Sequence, residues 1–278
     1  MYKKIALILI IVFTASALFA KDIVININRE EHIGEETKKT DIDLYISGEK
    51  VKMMWEGSRQ YYIFRGDKDA IWLVDTKKKE YMEFDKDLVK KVAAMREKAI
   101  TSMEKSLAKL PEAQREMAKK MMKQRMDKYM SEYAEEAKKF SYNHTDITKN
   151  MEGYPCRKVE VFDDTLQVED LWITDWKNIE YNEEIKEAYT SMMSFVDSLK
   201  TNFQSKLYNN AIRTPFMIRC QLGEEGKLDG YPIYAVHYDA DHNITDLIYL
   251  DEIKSEELPA NTFTPPEDYI LKQVEFTE

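Results

Sequence analysis

The chain has 278 residues, a formal net charge of −10 and a hydrophobic content of 44%. That content is sufficient for a buried core, and low counts of glycine and proline (8 and 7) argue against a disordered chain. An acidic surface repels phosphate backbones and anionic lipid headgroups, so nucleic acid is not expected as a partner.

Residues 1–20 have the pattern of a signal peptide. Lys3 and Lys4 precede a short apolar run, and small residues follow it, with Ala17 or Ala20 as the last residue removed. The alternative is an uncleaved N-terminal anchor, but the run is short for a bilayer about 30 Å thick. We therefore expect an exported protein of the periplasm or extracellular space, not an integral membrane protein. The mature chain would carry 39 basic and 51 acidic residues, a net charge of −12.

The segment from Asp22 to Phe84 alternates apolar and polar residues with a period of two, which is typical of strands. The expected strands after the first two are Val51–Glu56, Tyr61–Arg65, Ala70–Asp75 and Glu80–Phe84. The breaks between them are too short for crossover helices, so this part of the sheet is predicted to be an antiparallel meander.

The period changes at Asp85, which is placed to cap a helix. Apolar residues then recur three or four apart as far as Phe140, with a break or kink near Pro111. The sequence therefore predicts a helical insertion at 85–140 within a single domain at 21–278.

Strands return in the second half of the chain, on either side of another amphipathic helix that begins near Ile185. The predicted strands are Ser141–Lys149, Cys156–Phe162, Leu166–Thr174, Phe216–Leu222, Ile233–Tyr238, Ile244–Ile253 and Tyr269–Phe276. The residues 151–155, Met-Glu-Gly-Tyr-Pro, recur at 228–232 as Leu-Asp-Gly-Tyr-Pro, each time before a hairpin. This echo indicates one hairpin unit used twice; the alternative is turn chemistry that any antiparallel sheet reuses.

No catalytic, cofactor or metal-binding motif occurs in the sequence. The four histidines lack the spacing of metal ligands and are interpreted as ordinary surface or strand residues. Cys156 and Cys220 are the only cysteines, and in an oxidising compartment they are candidates for a disulfide. Two buried thiols are the alternative. We expect a protein that is not an enzyme and has no cofactor.

Methionines are concentrated between Met95 and Met130, where seven of the fifteen lie. Methionine is flexible and polarisable, so such a stripe lines an adaptable apolar cavity or, alternatively, fills the ordinary core between a helix and a sheet. Strand aromatics fit both interpretations. The candidate lining residues are Trp55, Phe64, Trp72, Met95, Met103, Met122, Met126, Trp172 and Phe203.

Several segments together resemble a known family. They are Tyr45–Lys52 (YISGEKVK), Ala70–Asp75 (AIWLVD), Glu80–Met82 (EYM) after a lysine-rich turn, and the C-terminal residues 258–269 with Leu-Pro-Ala-Asn and Pro-Pro-Glu-Asp-Tyr. The sequence is similar to exported bacterial proteins, many of them domains of unknown function, that share the fold of the lipoprotein carrier LolA and the receptor LolB. The resemblance implies a curved antiparallel half-barrel whose concave side encloses amphipathic helices.

We therefore expect an α+β fold in which a curved antiparallel sheet encloses long amphipathic helices. The resemblance implies a carrier that holds a lipid or the acyl chains of a lipoprotein in a cavity between sheet and helices. The alternative is a cell-envelope interaction or sensor module whose core is filled and which binds a protein partner.

Overall fold

The computed structural model describes residues 22–34, 36–88, 140–200 and 229–272, and single positions between 90 and 121. The strands are β1 (Ile23–Ile33), β2 (Glu36–Ser47), β3 (Lys50–Trp55), β4 (Gln60–Arg65), β5 (Ala70–Asp75), β6 (Glu80–Asp85), β7 (Phe140–Met151), β8 (Tyr154–Asp163), β9 (Leu166–Thr174), β10 (Tyr231–Tyr238), β11 (Ile244–Ser255) and β12 (Ile270–Leu271). The α-helix α1 (Asn182–Lys200) follows β9.

The described strands form one curved, unclosed sheet in the order β12-β6-β5-β4-β3-β2-β1-β11-β10-β9-β8-β7. All neighbours are antiparallel except β12, which pairs in parallel with β6. The predicted meander from β1 to β6 is confirmed. Pairing of β1 with β11 joins this meander to the C-terminal strands.

The alternation read from the sequence determines which face each residue occupies. In β1, Ile23, Ile25 and Ile27 are buried in the main core. The turn to β3 uses Gly48, whose φ of +54° suits glycine, and Ser47 pairs with Lys50 across it. We call the face that carries the main core the inner face and the opposite one the outer face.

Helix α1 packs on the inner face near β2 and β3. Ile185, Ala188 and Tyr189 are buried on one side of it, as their helical spacing predicts. Glu183 and Glu184 lie in its first turn, where negative charge favours the helix dipole. This is the one helix longer than six residues that the described part of the chain defines, so the expected enclosure by long helices is not confirmed.

The predicted insertion at 85–140 is described only at its ends and at scattered positions. The carboxylate of Asp85 accepts a hydrogen bond from the Leu88 amide at 2.6 Å, which confirms the predicted helix cap. Phe140, the last residue of the predicted insertion, is instead the first residue of β7 and contacts the main core.

The echo in the sequence corresponds to two consecutive hairpins. Gly153 precedes the β8–β9 hairpin and Gly230 precedes β10–β11, and β9 pairs with β10. The two glycines differ in conformation, with φ of +87° at Gly153 and +151° at Gly230. The unit is therefore used twice with different entry turns.

Candidate functional site

One end of the inner face is filled by α1. The rings of Phe64 and Phe195 lie 5.9 Å apart, and the side chains of Ile185 and Tyr189 on α1 are fully buried. A Cβ at Gly66 would lie 2.6 Å from the Ser191 hydroxyl, so the chain there is in close contact with α1. This end of the inner face therefore belongs to the hydrophobic core.

A strip of half-buried apolar side chains continues the inner face toward the other end of β3. Met53 pairs with Tyr62 across β3 and β4, and Trp55 meets Tyr62 edge-to-face at 5.7 Å. Burial raises the pKa of the Tyr62 hydroxyl. All three side chains contact the main core without being fully buried. We call Met53, Trp55 and Tyr62 the aromatic strip.

A line of polar and ionisable side chains crosses the same face on four neighbouring strands. Glu169 follows the inward alternation of Leu171 on β9, and its register partner on β10 is His237. His237 in turn pairs with Asp246 on β11, and Arg29 on β1 contacts Asp246 diagonally. We call Arg29, Asp246, His237 and Glu169 the polar row.

Short contacts hold the polar row together. Arg29 Nε donates to Asp246 Oδ1 at 2.6 Å, and His237 Nε2 lies 2.7 Å from Glu169 Oε1. His237 Nδ1 is 4.0 Å from Asp246 Oδ2, so the imidazole lies between two carboxylates. The Glu169 side chain is completely buried, and a buried carboxylate without partners would cost several kcal/mol. The row is therefore a preorganised network.

The aromatic strip and the polar row are connected on the central strands by the inward-facing Ile42 and Ile27. Ile27 pairs with Ile42, and Ile42 pairs with Trp55, while Arg29 lies one inward position beyond Ile27. Two residues along a strand correspond to about 7 Å. The inner face thus places an apolar surface beside fixed charges, an arrangement suited to a molecule with an apolar body and a polar end.

The sequence-predicted lining residues do not form one surface. Trp55 and Phe64 lie on the inner face, whereas Trp72 is buried in a second cluster on the outer face. Trp172 is half-buried at the margin of the main core and alternates with the inward-facing Leu171. Met95, Met103, Met122, Met126 and Phe203 lie outside the described residues.

The second cluster explains the position of Trp72. Its buried members are Tyr61, Ile63, Trp72, Val74 and Phe263. Phe263 comes from the segment after β11, and Arg65 Nη1 donates to its carbonyl oxygen at 3.1 Å. Lys79 and Asp268 form an ion pair at 2.7 Å further along this segment. The outer face near β4 and β5 is therefore covered by the chain's own C-terminal segment.

The cysteines were predicted to pair or to remain buried thiols. Cys156 is a free thiol in the described part of the chain, 3% exposed, and burial raises its pKa to about 11. Cys220 lies outside the described residues, so the disulfide stays a prediction.

Sequence reasoning missed Glu169 and His237 as partners. A usable signal existed, because Glu169 interrupts the apolar alternation with Leu171 and Ile173 on the buried face of a strand. A charged residue at such a position needs a partner nearby. The described residues contain no group of three His, Cys, Asp or Glu side chains suited to a metal ion, and no described helix is long and apolar enough to span a membrane.

No protein-family model and no curated protein matches the chain. Similar solved structures include an uncharacterized conserved protein from Thermus thermophilus, with 6% identity, TM-score 0.43, and coverage of 92% of this chain and 91% of that one. A LolA superfamily protein from Nitrosomonas europaea has 8% identity, TM-score 0.26, and coverage of 88% and 90%.

A DUF1329 family protein from Desulfovibrio piger has 8% identity, TM-score 0.29, and coverage of 91% and 93%. The structural neighbours thus include the LolA-like proteins and domains of unknown function that the sequence resembles. Structural similarity at this level supports no conclusion about function.

Proposed function

We propose that this is an exported, non-enzymatic binding or carrier protein that holds an apolar ligand, a lipid or a lipoprotein acyl chain, against its inner face. The aromatic strip carries the proposal. Met53, Trp55 and Tyr62 extend the apolar surface beyond the end that α1 fills, and they remain only half-buried.

The chemistry of the strip fits flexible hydrocarbon. Methionine and aromatic side chains adapt to ligands of irregular shape, and an acyl chain gains about 0.8 kcal/mol for each CH₂ removed from water. The apolar surface ends at Arg29 on β1, where the polar row begins. A ligand on the strip would therefore have its apolar part on β3 and β4 and its polar end toward β1.

A bromine-labelled fatty acid tests where the ligand lies, because bromine quenches tryptophan fluorescence only at contact range. Trp55→Phe is the informative variant, and Trp72→Phe is its matched control on the covered outer face. We expect quenching in the wild type and in Trp72→Phe, and its loss in Trp55→Phe. Binding that leaves Trp55 unquenched, or a protein that takes up no fatty acid, would overturn the proposal.

A second candidate is an envelope interaction or sensor module with a filled core. It is favoured by the end of the inner face under α1, where the Ile185 and Tyr189 side chains of the helix are fully buried in the core. Native mass spectrometry of the mature protein from its host envelope separates the two candidates. A stoichiometric lipid supports the carrier, whereas a ligand-free mass together with a co-purified protein supports the interaction module.

A further inference from the structure

A basic cavity lies where β7 and β8 meet the segment between β9 and α1. Its volume is about 600 Å³. Its described lining residues are Thr148, Lys149, Asn150, Pro155, Cys156, Arg157, Ile173, Asp175, Lys177 and Asn178. Three of these side chains are cations and one is a carboxylate, so the cavity carries a local charge of about +2 in a strongly acidic chain.

The carboxylate positions two of the cations. Asp175 Oδ1 accepts a hydrogen bond from Arg157 Nη1 at 2.8 Å, and Asp175 Oδ2 lies 3.0 Å from Lys177 Nζ. The bonds from Lys177 and Arg157 lower the pKa of Asp175, so the carboxylate stays ionised near neutral pH. One negative charge therefore holds two positive groups in place and neutralises only half of their charge.

Hydrogen-bond donors of Arg157 and Lys149 remain available after these contacts. Arg157 Nη2 donates to the carbonyl oxygen of Asp229, which fixes the guanidinium plane from a second side. A guanidinium has five N–H donors, and these contacts use two of them. Lys149 is exposed and forms no ion pair within the described residues. Amide and hydroxyl groups of Asn150, Asn178 and Thr148 add neutral polar groups to the lining.

The other large described cavity has the opposite character. Its volume is about 740 Å³, and it lies beside the first turns of α1. Four carboxylates line it, from Glu49, Asp69, Glu183 and Glu187, against two lysines that are already in ion pairs. The excess of positive charge is therefore a property of the Arg157 cavity, where it focuses a favourable potential for anions.

We propose that the cavity around Arg157, Lys149 and Lys177 is a binding site for a phosphate-class oxyanion. Arginine matches the oxygens of such a group with parallel N–H donors, and the two lysines add charge from the sides. This site goes beyond the proposed function, because none of its residues belongs to the aromatic strip. The same chemistry fits a free phosphate and a phospholipid headgroup.

Isothermal titration calorimetry of the intact mature protein separates these sources. The probes are inorganic phosphate, a short-chain phosphatidylglycerol kept monomeric, and the phosphatidylcholine with the same chains. Heat with phosphate identifies a small-anion site, and heat with phosphatidylglycerol alone identifies a headgroup site. Equal binding of the two lipids without heat from inorganic phosphate would show that the shared acyl chains bind, and this result overturns the proposal. No binding of any probe overturns it as well.

Variants locate the site without threatening the fold. Lys149→Gln with Lys177→Gln removes two exposed charges, and we expect affinity to fall about tenfold or more, since each charge contributes by Coulomb attraction at close range. Lys77→Gln with Lys78→Gln makes the same change of net charge at the β5–β6 turn and should leave affinity within about twofold. An equal loss in both double variants would show that net charge, not this cavity, attracts the anion.

Discussion

Gly230 and Gly153 occupy matching places in the echoed hairpins, yet they should respond differently to alanine. A Cβ at Gly230 would lie 2.5 Å from the Thr174 carbonyl oxygen, which belongs to the backbone of β9. A Cβ at Gly153 would meet nothing within 4 Å. Both glycines have positive φ, so both substitutions strain the backbone, but only Gly230→Ala forces two strands apart.

The expected loss of unfolding free energy in each variant follows from these two effects. A positive φ costs an alanine about 1–2 kcal/mol, and the stiffer unfolded chain returns about 0.4–1 kcal/mol in either variant. The clash at Gly230 adds about 1–3 kcal/mol, as overpacking of a well-packed region does. The neighbouring Tyr231 and Ile233 are fully buried, so little room exists for relaxation. The free energy of unfolding should therefore fall about 1–3 kcal/mol further in Gly230→Ala than in Gly153→Ala.

Urea unfolding followed by circular dichroism gives both free energies. Fluorescence of Trp176 adds a local readout, because its ring meets Tyr231 edge-to-face at 5.4 Å. We expect that emission to shift in folded Gly230→Ala and to stay unchanged in Gly153→Ala. Equal losses of stability in the two variants would refute the close approach of Gly230 to β9.

Three further predictions concern the outer face, the buried thiol and acid stability. Phe263→Ala should lower the free energy of unfolding by about 3–5 kcal/mol in urea titrations, because Phe263 is 6% exposed, whereas the exposed Leu271→Ala should change it by under about 1 kcal/mol. Cys156, with a pKa of about 11, should react slowly with a disulfide reagent at pH 8 in the reduced native protein and rapidly after unfolding; fast native reaction would contradict its burial. Arg65 lowers the pKa of Asp67, so this carboxylate stabilises the fold above its unfolded pKa, and that contribution is lost as pH falls through the folded value. Asp67→Asn should therefore lose less stability than the wild type between neutral and strongly acidic pH in thermal melts, and an identical pH profile would argue against the pair.

The strand positions could be predicted because burial of one face makes apolar and polar residues alternate with a period of two. The predicted bounds of Ala70–Asp75 and Leu166–Thr174 agree with β5 and β9, since turn residues flank both runs of apolar and aromatic residues. The C-terminal strand was predicted as Tyr269–Phe276, but the described pairing is limited to Ile270–Leu271. Its parallel pairing with β6 depends on where the whole C-terminal segment lies, which a local pattern does not encode.

The candidate site was less predictable, because face assignments need long-range information. Alternation places Trp72, the register partner of Ile63, on the face opposite to Phe64. Both residues are apolar, so the sequence does not say what covers each face. The structure assigns the outer cover to Phe263, which lies far beyond Trp72 in the chain. Similarly, the contact of His237 with Glu169 spans 68 residues and depends on the register of β9 and β10. The spacing of the histidines along the chain does not predict this contact.

The polar row links the two halves of the sheet at their seam. Arg29 belongs to the N-terminal meander and Asp246 to the C-terminal strands, so their contact crosses the β1–β11 pairing between residues 217 positions apart. A slip of β1 by one residue would turn Arg29 outward and bring a different side chain to Asp246. We expect this partly buried ion pair to fix the register of β1 against β11 more than it adds stability. Because the aromatic strip is reached from β1 through Ile27 and Ile42, the same register that satisfies Asp246 also fixes where the strip ends and the charges begin.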